Sequence, residues 1–347
     1  MNWQKFGKKE IGSEFWSVPS ATDKNCLFPE SVQWYLSGRC ALRAIIKELK
    51  DCRTVAVPSW CCETMIKPFA DAGIEVRFYP VYWDRGGLRQ ELRTDCDALF
   101  LMDYFGYTGP GTELPGYHGL VIRDVTHSLF SASYDDADYC FGSLRKWVGV
   151  WTGGYVWSRD GHALPTEDAD DLGYTALREN AMRRKSRYIS GDPDADGICV
   201  TDKKYLKLFS AAEDCLDRVG IAPAAGRDVR LAARLDADTI ISRRRENAAV
   251  LRSAFPEWLI FPEMKETDCP MFVPVLVPNG KRDALRRYLI DRQIYCPVHW
   301  PVSAYHRLGE RERFLYDNGL SLVCDQRYGT KDMVRTVETI RSFFMGV

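Results

Sequence analysis

The chain has 347 residues, 46% of them apolar and 27% charged, with a net charge of −1. This composition excludes an intrinsically disordered or low-complexity chain, and it leaves no global field to attract a nucleic-acid backbone or an anionic membrane. The length allows one large domain or two unequal ones.

The most weakly polar run, residues 148–157, is interrupted by glycines and falls well short of the ~20 residues that span a bilayer. The opening residues lack the apolar stretch and small-residue cleavage site of a signal peptide, so the expectation is a cytoplasmic protein. Twelve cysteines are scattered without a CxxC spacing and read as reduced, mostly core thiols, with no metal site.

Taken from the N-terminus, residues 41–50 (ALRAIIKELK) place Leu42, Ile45, Ile46 and Leu49 at spacings of three and four, one apolar face of a helix that follows Ser37-Gly38-Arg39-Cys40. Short apolar runs bounded by turn residues predict strands at 54–58, 75–79, 98–102, 119–124 and 154–157. Amphipathic stretches alternate with them, the pattern of a largely parallel sheet covered by helices. Residues 158–197 turn polar and charged and read as an excursion over the surface. A helical stretch covers 203–255 with a break at 220–226; then come a strand at 272–277, a helix at 282–293, a strand at 294–297 and a terminal helix at 331–344. The expected architecture is α/β, with a large domain over 1–235 and a smaller α+β C-terminal domain over 236–347.

Asp124 ends an apolar strand in LVIRDVTHS, which puts its carboxylate at the carboxyl edge of the sheet, where ligands of open α/β folds bind. Twenty-two residues on, Lys146 follows the apolar run 137–141 in FGSLRKWVGVWTGG. Its neighbours Trp147, Val148 and Val150 predict a desolvated ammonium with a lowered pKa, hence a nucleophile. An acid at a strand end and a nucleophilic lysine are what pyridoxal phosphate needs: the lysine bonds the aldehyde, and the carboxylate keeps the pyridine nitrogen protonated. The plainer alternative is a solvated loop lysine and a helix-capping aspartate.

The surroundings of this pair resemble the fold-type I pyridoxal-phosphate enzymes, specifically the DegT/DnrJ/EryC1/StrS aminotransferase family, whose best-known members aminate nucleotide-linked keto sugars. The matching stretches run along most of the chain: Ser37 to Leu42, Val57-Pro58-Ser59-Trp60, Asp103-Tyr104-Phe105-Gly106, Arg123 to Ser128, Ser143-Leu144-Arg145-Lys146, Gly153-Gly154, Tyr295 to Trp300 and Leu320-Ser321-Leu322. The resemblance implies a large domain with a mostly parallel central sheet, a smaller C-terminal domain, and a cofactor phosphate at Gly38-Arg39-Cys40, at the start of the helix.

Two positions depart from the family. Arg39 replaces a small hydroxyl residue, which leaves three roles open to it: a phosphate contact, a reach toward an anionic substrate, or solvation. Phe141 stands where relatives commonly carry Ser or Thr five residues before the lysine, so Ser143 is the available hydroxyl. Trp60 matches an aromatic near the cofactor ring, the alternative being a core tryptophan. His127 matches the Gln or His that bonds the ring's phenolic oxygen, the alternative being a buried structural histidine.

On the substrate side the resemblance makes His299 a candidate contact, with Trp300 and Pro301 shaping the wall. The basic run 183–187, Arg187 included, meets a nucleotide diphosphate, reaches a neighbouring subunit, or is a solvated helix face. The implied function is transfer of an amino group from glutamate to a keto group of a nucleotide-linked sugar, in polysaccharide biosynthesis, by a homodimer with active sites between its subunits. Family dehydratases carry histidine in place of the lysine, so Lys146 favours transamination. Competing readings are cysteine desulfuration, retro-aldol cleavage, and a non-catalytic cofactor-binding regulator.

Overall fold

The hydrophobic pattern becomes structure with little rearrangement as far as residue 158. The computed structural model describes residues 10–18, 27–109, 114, 116–131, 134, 136–193 and 200–346. In chain order, β1 (Ile11–Gly12) and β2 (Gln33–Tyr35) precede α1 (Gly38–Glu48), β3 (Thr54–Pro58), α2 (Glu63–Asp71) and β4 (Glu75–Tyr79). A hairpin of β5 (Val81–Asp84) and β6 (Gly87–Gln90) leads to β7 (Ala98–Met102), β8 (Leu120–Asp124), β9 (Tyr139–Ser143) and β10 (Gly154–Ser158). Four helices follow: α3 (Tyr174–Ser190), α4 (Tyr205–Cys215), α5 (Gly226–Ala232) and α6 (Ala237–Ala254). The chain closes with β11 (Phe272–Leu276), α7 (Arg282–Asp291), β12 (Ile294–Tyr295), α8 (Glu310–Asn318), β13 (Gly319–Val323) and α9 (Thr330–Met345).

The main sheet has seven strands in the order β2-β10-β9-β8-β7-β3-β4. β4, β3, β7, β8 and β9 pair in parallel, and β10 runs against both β9 and β2. The interior strand β7, ALFLM, is buried at all five positions, as a strand covered on both faces must be. Parallel pairing aligns the carboxyl ends of β7, β8 and β9, with Met102 opposite Asp124 and Asp124 opposite Phe141.

A second hydrophobic core forms around the antiparallel pair β11–β13, with Leu251 of α6, Leu285 and Leu289 of α7 and Val337 and Ile340 of α9 packed into it. Two elements here lie outside the expected pattern. α8, ERERFLYDN, is polar apart from Phe314, Leu315 and Tyr316, of which only Leu315 and Tyr316 are buried. The strand expected at 294–297 reduces to two residues and pairs in parallel with β1, so its partner comes from the far end of the chain.

The polar stretch after residue 158 departs most from expectation. Residues 194–199 of it lie outside the described residues, but 174–190 form a helix packed on α4 rather than an excursion over the surface. Its buried face carries Arg178 and Lys185, both fully enclosed, beside Ala181, Met182, Tyr188 and Ile189. Charges occupy core positions here because acids come to meet them: Lys185 Nζ lies 3.1 Å from Glu10 Oε1, and Arg178 Nη2 lies 3.7 Å from Glu14 Oε2. Apolar periodicity could not reveal a face built from ion pairs. Among the described residues no helix is long and apolar enough to cross a membrane.

Candidate active site

The site grows from two strand ends. β8 ends at Asp124: Val125 N–H still donates to the Phe141 carbonyl at 2.8 Å, and the chain then turns, Ser128 N–H donating to the Val125 carbonyl at 3.0 Å. Asp124 is 2% exposed, with Thr126 N–H donating to Oδ1 at 2.8 Å. Burial pushes its carboxyl up to about 6, against the lowering effect of the Thr126 bond; Asp103 adds to the rise and Lys146 opposes it.

β9 ends in a single 3₁₀ turn, Leu144–Lys146, clamped by Leu144 N–H to the Gly153 carbonyl at 2.8 Å. Trp147 ties this turn to the other strand end, its indole N–H donating to the Thr126 carbonyl at 2.7 Å. Lys146 and Asp124 therefore face one cavity of about 570 Å³ at the carboxyl edge of the sheet.

The expected desolvation of Lys146 is not observed. Trp147, Val148 and Val150 are buried, but they pack beneath the turn with Val125, Leu129 and Tyr155, while the lysine itself is exposed in the cavity. Alternation around the turn sends adjacent side chains to opposite sides, which a run of apolar neighbours does not disclose.

α1 enters at the same edge. Ser37 caps it, Oγ accepting from Cys40 N–H at 3.2 Å. The helix start can lie this close because β10 begins with glycine: a Cβ at Gly154 would stand 2.0 Å from the Ser37 carbonyl oxygen. Gly38 and Arg39 line the cavity. Cys40 does not; its N–H is taken by the cap and its side chain is fully buried in the main core.

Arg39 is ion-paired rather than solvated. Its guanidinium lies 3.4 Å from Glu213 and 3.4 Å from Asp217, and it bonds the Glu213 carbonyl at 3.1 Å. Ser143 does line the cavity, beside Gly38, and its buried hydroxyl has no hydrogen-bond partner.

His127 reaches the cavity from the turn after β8, buried, with Nδ1 unpartnered. Burial, helped by His299 and Lys146, drives its pKa far down, so the ring is neutral. His299 lies 5.7 Å from it between centroids, bonded through Nδ1 to Ser321 Oγ at 2.8 Å, and burial with Lys146 brings it down to about 3.

The aromatic wall differs from expectation. Trp60 does not line the cavity: its N–H is committed to the His299 carbonyl at 2.9 Å and its ring stacks on Tyr104 at 5.0 Å, which makes it a core tryptophan. Trp300 lines it instead, stacked on His127 at 5.6 Å with 18° between planes. Arg187 also lies outside the cavity, in the last turn of α3, whose buried face is spent on α4 and the N-terminal segment.

Sequence reasoning missed several lining residues. Glu14 is brought in by the N-terminal segment, whose carbonyls at Ser13 and Glu14 are bonded by Arg327 at 3.1 and 3.0 Å. Glu213 arrives on α4 and binds Arg145 as well as Arg39. The available signal was indirect: two arginines flanking an expected phosphate site imply a buried acid somewhere to balance them.

The residues present fit pyridoxal phosphate on the evidence of their unsatisfied groups. Among the described residues the buried Asp124 has no cationic partner in hydrogen-bond contact, and His127 Nδ1 and Ser143 Oγ are orphaned donors or acceptors lining the same cavity.

The fold is shared with solved sugar aminotransferases. A sugar aminotransferase from Micromonospora echinospora superposes with a TM-score of 0.56 at 19% identity, covering 90% of this chain and 87% of its own. A DegT DnrJ EryC1 StrS aminotransferase from Brucella abortus gives 0.56 at 15% identity, covering 90% and 85%. The Streptococcus pneumoniae protein Spr1654 in its PLP-form gives 0.60 at 12% identity, covering 96% and 98%. No protein-family model and no curated protein matches the chain. The likeness is one of fold.

Proposed function

We propose that this chain is a pyridoxal-phosphate-dependent aminotransferase that moves an amino group from glutamate to a keto group on a nucleotide-linked sugar. The observation that carries the reading is the meeting of Lys146 and Asp124 in one cavity at the carboxyl edge of the parallel sheet. The shared fold of the three solved aminotransferases supports it. The division into a 1–235 domain and a 236–347 domain, and a homodimer with shared active sites, belong to the same proposal.

Pyridoxal phosphate, when bound, supplies an aldehyde and an electron-accepting ring, the chemistry by which an amino group passes from donor to acceptor. Asp124 would hold the ring nitrogen: its buried carboxylate has a strong electrostatic reason to take a cationic N–H, since burial without a partner penalises its charge. His127, neutral and with Nδ1 free, would bond the phenolic oxygen. Ser143 and the start of α1 would take the phosphate. Lys146, unburied and lining the cavity, would anchor the cofactor and take and return the proton at the donor's α-carbon. His299, neutral because burial resists its charging, would orient the acceptor from the cavity lining, held by Ser321.

The test is spectroscopic. Protein incubated with pyridoxal phosphate should develop a visible absorbance band that Lys146→Ala abolishes, that bleaches with glutamate, and that returns on adding a keto-sugar nucleotide. A band indifferent to every amino donor would favour a regulatory protein, and sulfide release from cysteine would favour a desulfurase.

A further inference from the structure

At the α1 end of the cavity, Glu213 gathers three arginines. Its carboxylate takes Arg145 Nη1 at 2.5 Å and Nη2 at 3.2 Å, with Arg39 Nη2 at 3.4 Å and Arg178 Nη1 at 4.0 Å. Burial alone would raise this carboxyl, yet Arg145, Lys146, Arg39 and Arg178 together hold it at about 2. A second acid, Glu14, meets Arg178 at 3.7 Å, and Asp217 meets Arg39 at 3.4 Å on the solvent side.

The positive groups still exceed what these acids satisfy. Arg145 Nε and both terminal nitrogens of Arg178 are buried without a hydrogen-bond partner. Arg145 is 7% exposed and lines the cavity together with Arg39 and Glu213. The same cavity is lined by the orphaned hydroxyl of Ser143, 5% exposed, its Cβ 3.4 Å from where a Cβ on Gly38 would lie. The first-turn N–H groups of Gly38 and Arg39 have no intrahelical acceptors, and the 11-residue α1 directs its positive end here. Guanidinium forks, a helix start and a free hydroxyl are the donor set for a tetrahedral dianion.

We propose that Arg39, Arg145, Ser143 and the start of α1 form a seat for a phosphate monoester in which Glu213 is a built-in counter-anion. With the seat empty, Glu213 keeps the two guanidiniums folded against the wall. With phosphate present, two anions share the same guanidiniums and weaken each other's hold. Glu213 thereby lowers phosphate affinity and makes cofactor occupancy sensitive to competing phosphate. This inference rests on the cofactor reading above for the identity of the monoester, and on the arginine–glutamate cluster for the seat itself.

The experiment uses the full chain freed of cofactor, titrated separately with pyridoxal phosphate, with pyridoxal, which lacks the phosphate, and with inorganic phosphate. Affinity is read by tryptophan fluorescence and by the shift in thermal midpoint. Glu213→Gln is expected to tighten pyridoxal phosphate and inorganic phosphate by tenfold or more while leaving pyridoxal within twofold. Arg39→Gln, a change at a partly exposed side chain, is expected to weaken both phosphate ligands at least fivefold and to spare pyridoxal; it serves if Glu213→Gln does not fold. Unchanged or weaker phosphate binding in Glu213→Gln, or equal shifts for pyridoxal, overturns the proposal. The two readings fail differently. Phosphate binding that tightens in Glu213→Gln without any Lys146-dependent band keeps the seat and rejects the cofactor. A normal band whose affinity ignores both variants keeps the cofactor and rejects the seat.

Discussion

Asp124→Asn gives the sharpest test of how the site stores free energy. The carboxyl is 2% exposed and pushed from 3.8 up to about 6 by burial. A rise of roughly two pH units, at about 1.4 kcal/mol each, makes the ionised form cost about 3 kcal/mol in the cofactor-free protein at neutral pH. The sign follows from proton binding. Between the unfolded and folded pKa values the native state holds more protons, so stability falls as pH rises from about 4 through 6: the cost is absent below about pH 4 and complete above 6.

Asparagine is close to isosteric, keeps an oxygen to accept from Thr126 N–H and carries no charge. The cofactor-free variant is therefore expected to exceed the wild type by about 2–3 kcal/mol at pH 7.5, with the advantage shrinking toward zero near pH 4. Urea denaturation at both pH values measures it. The same variant should bind pyridoxal phosphate with an altered band and transaminate at least a hundredfold more slowly, because a neutral amide does not hold a protonated ring nitrogen. A variant less stable than the wild type at pH 7.5, or a difference independent of pH, refutes the claim that Asp124 is a destabilised charge awaiting a cation.

Lys146→Ala should abolish the visible band and all transamination yet change stability by less than ~1 kcal/mol, since an exposed side chain is removed; urea denaturation with absorbance on one sample checks both. Trp147→Phe removes the indole bond to the Thr126 carbonyl and leaves that buried oxygen unpaired, at ~1–3 kcal/mol, and should loosen cofactor binding by shifting the Lys146 turn; a titration of affinity against stability separates the two. His299, brought down to about 3 by burial and Lys146, stays neutral in the fold while the unfolded side chain takes a proton below about 6.5, so stability falls by up to ~1.4 kcal/mol per pH unit between 6.5 and 3; in His299→Gln that slope should flatten, as read by thermal unfolding across the range. Gly154→Ala drives a Cβ to 2.0 Å from the Ser37 carbonyl and should cost more than ~3 kcal/mol, seen as loss of folded protein in circular dichroism.

The strand-end residues were legible in the sequence because local pattern marks them. An apolar run that stops at Asp124 and another that stops before Lys146 announce two carboxyl edges, and parallel pairing of β8 with β9 makes those edges neighbours. The same pattern gave misleading signals where side-chain direction matters. Trp147 and Val148 beside Lys146 point beneath the turn rather than around the amine, and Trp60 turns inward to Tyr104, leaving Trp300 to face His127. Arg187 lies on a helix whose useful charges are the buried Arg178 and Lys185.

By itself the sequence determined the alternation of strands and helices, the two strand ends that carry Asp124 and Lys146, and the absence of a strong net charge, because each follows from hydrophobic periodicity or composition. Only the tertiary structure decided which acids neutralise Arg39 and Arg145, and that Glu14, Glu213, His299 and Trp300 line one cavity. These residues lie on an N-terminal segment, a helix and a C-terminal loop far apart in the chain. Ion pairs and ring stacking act through space between whole elements, and no local period along the sequence records them.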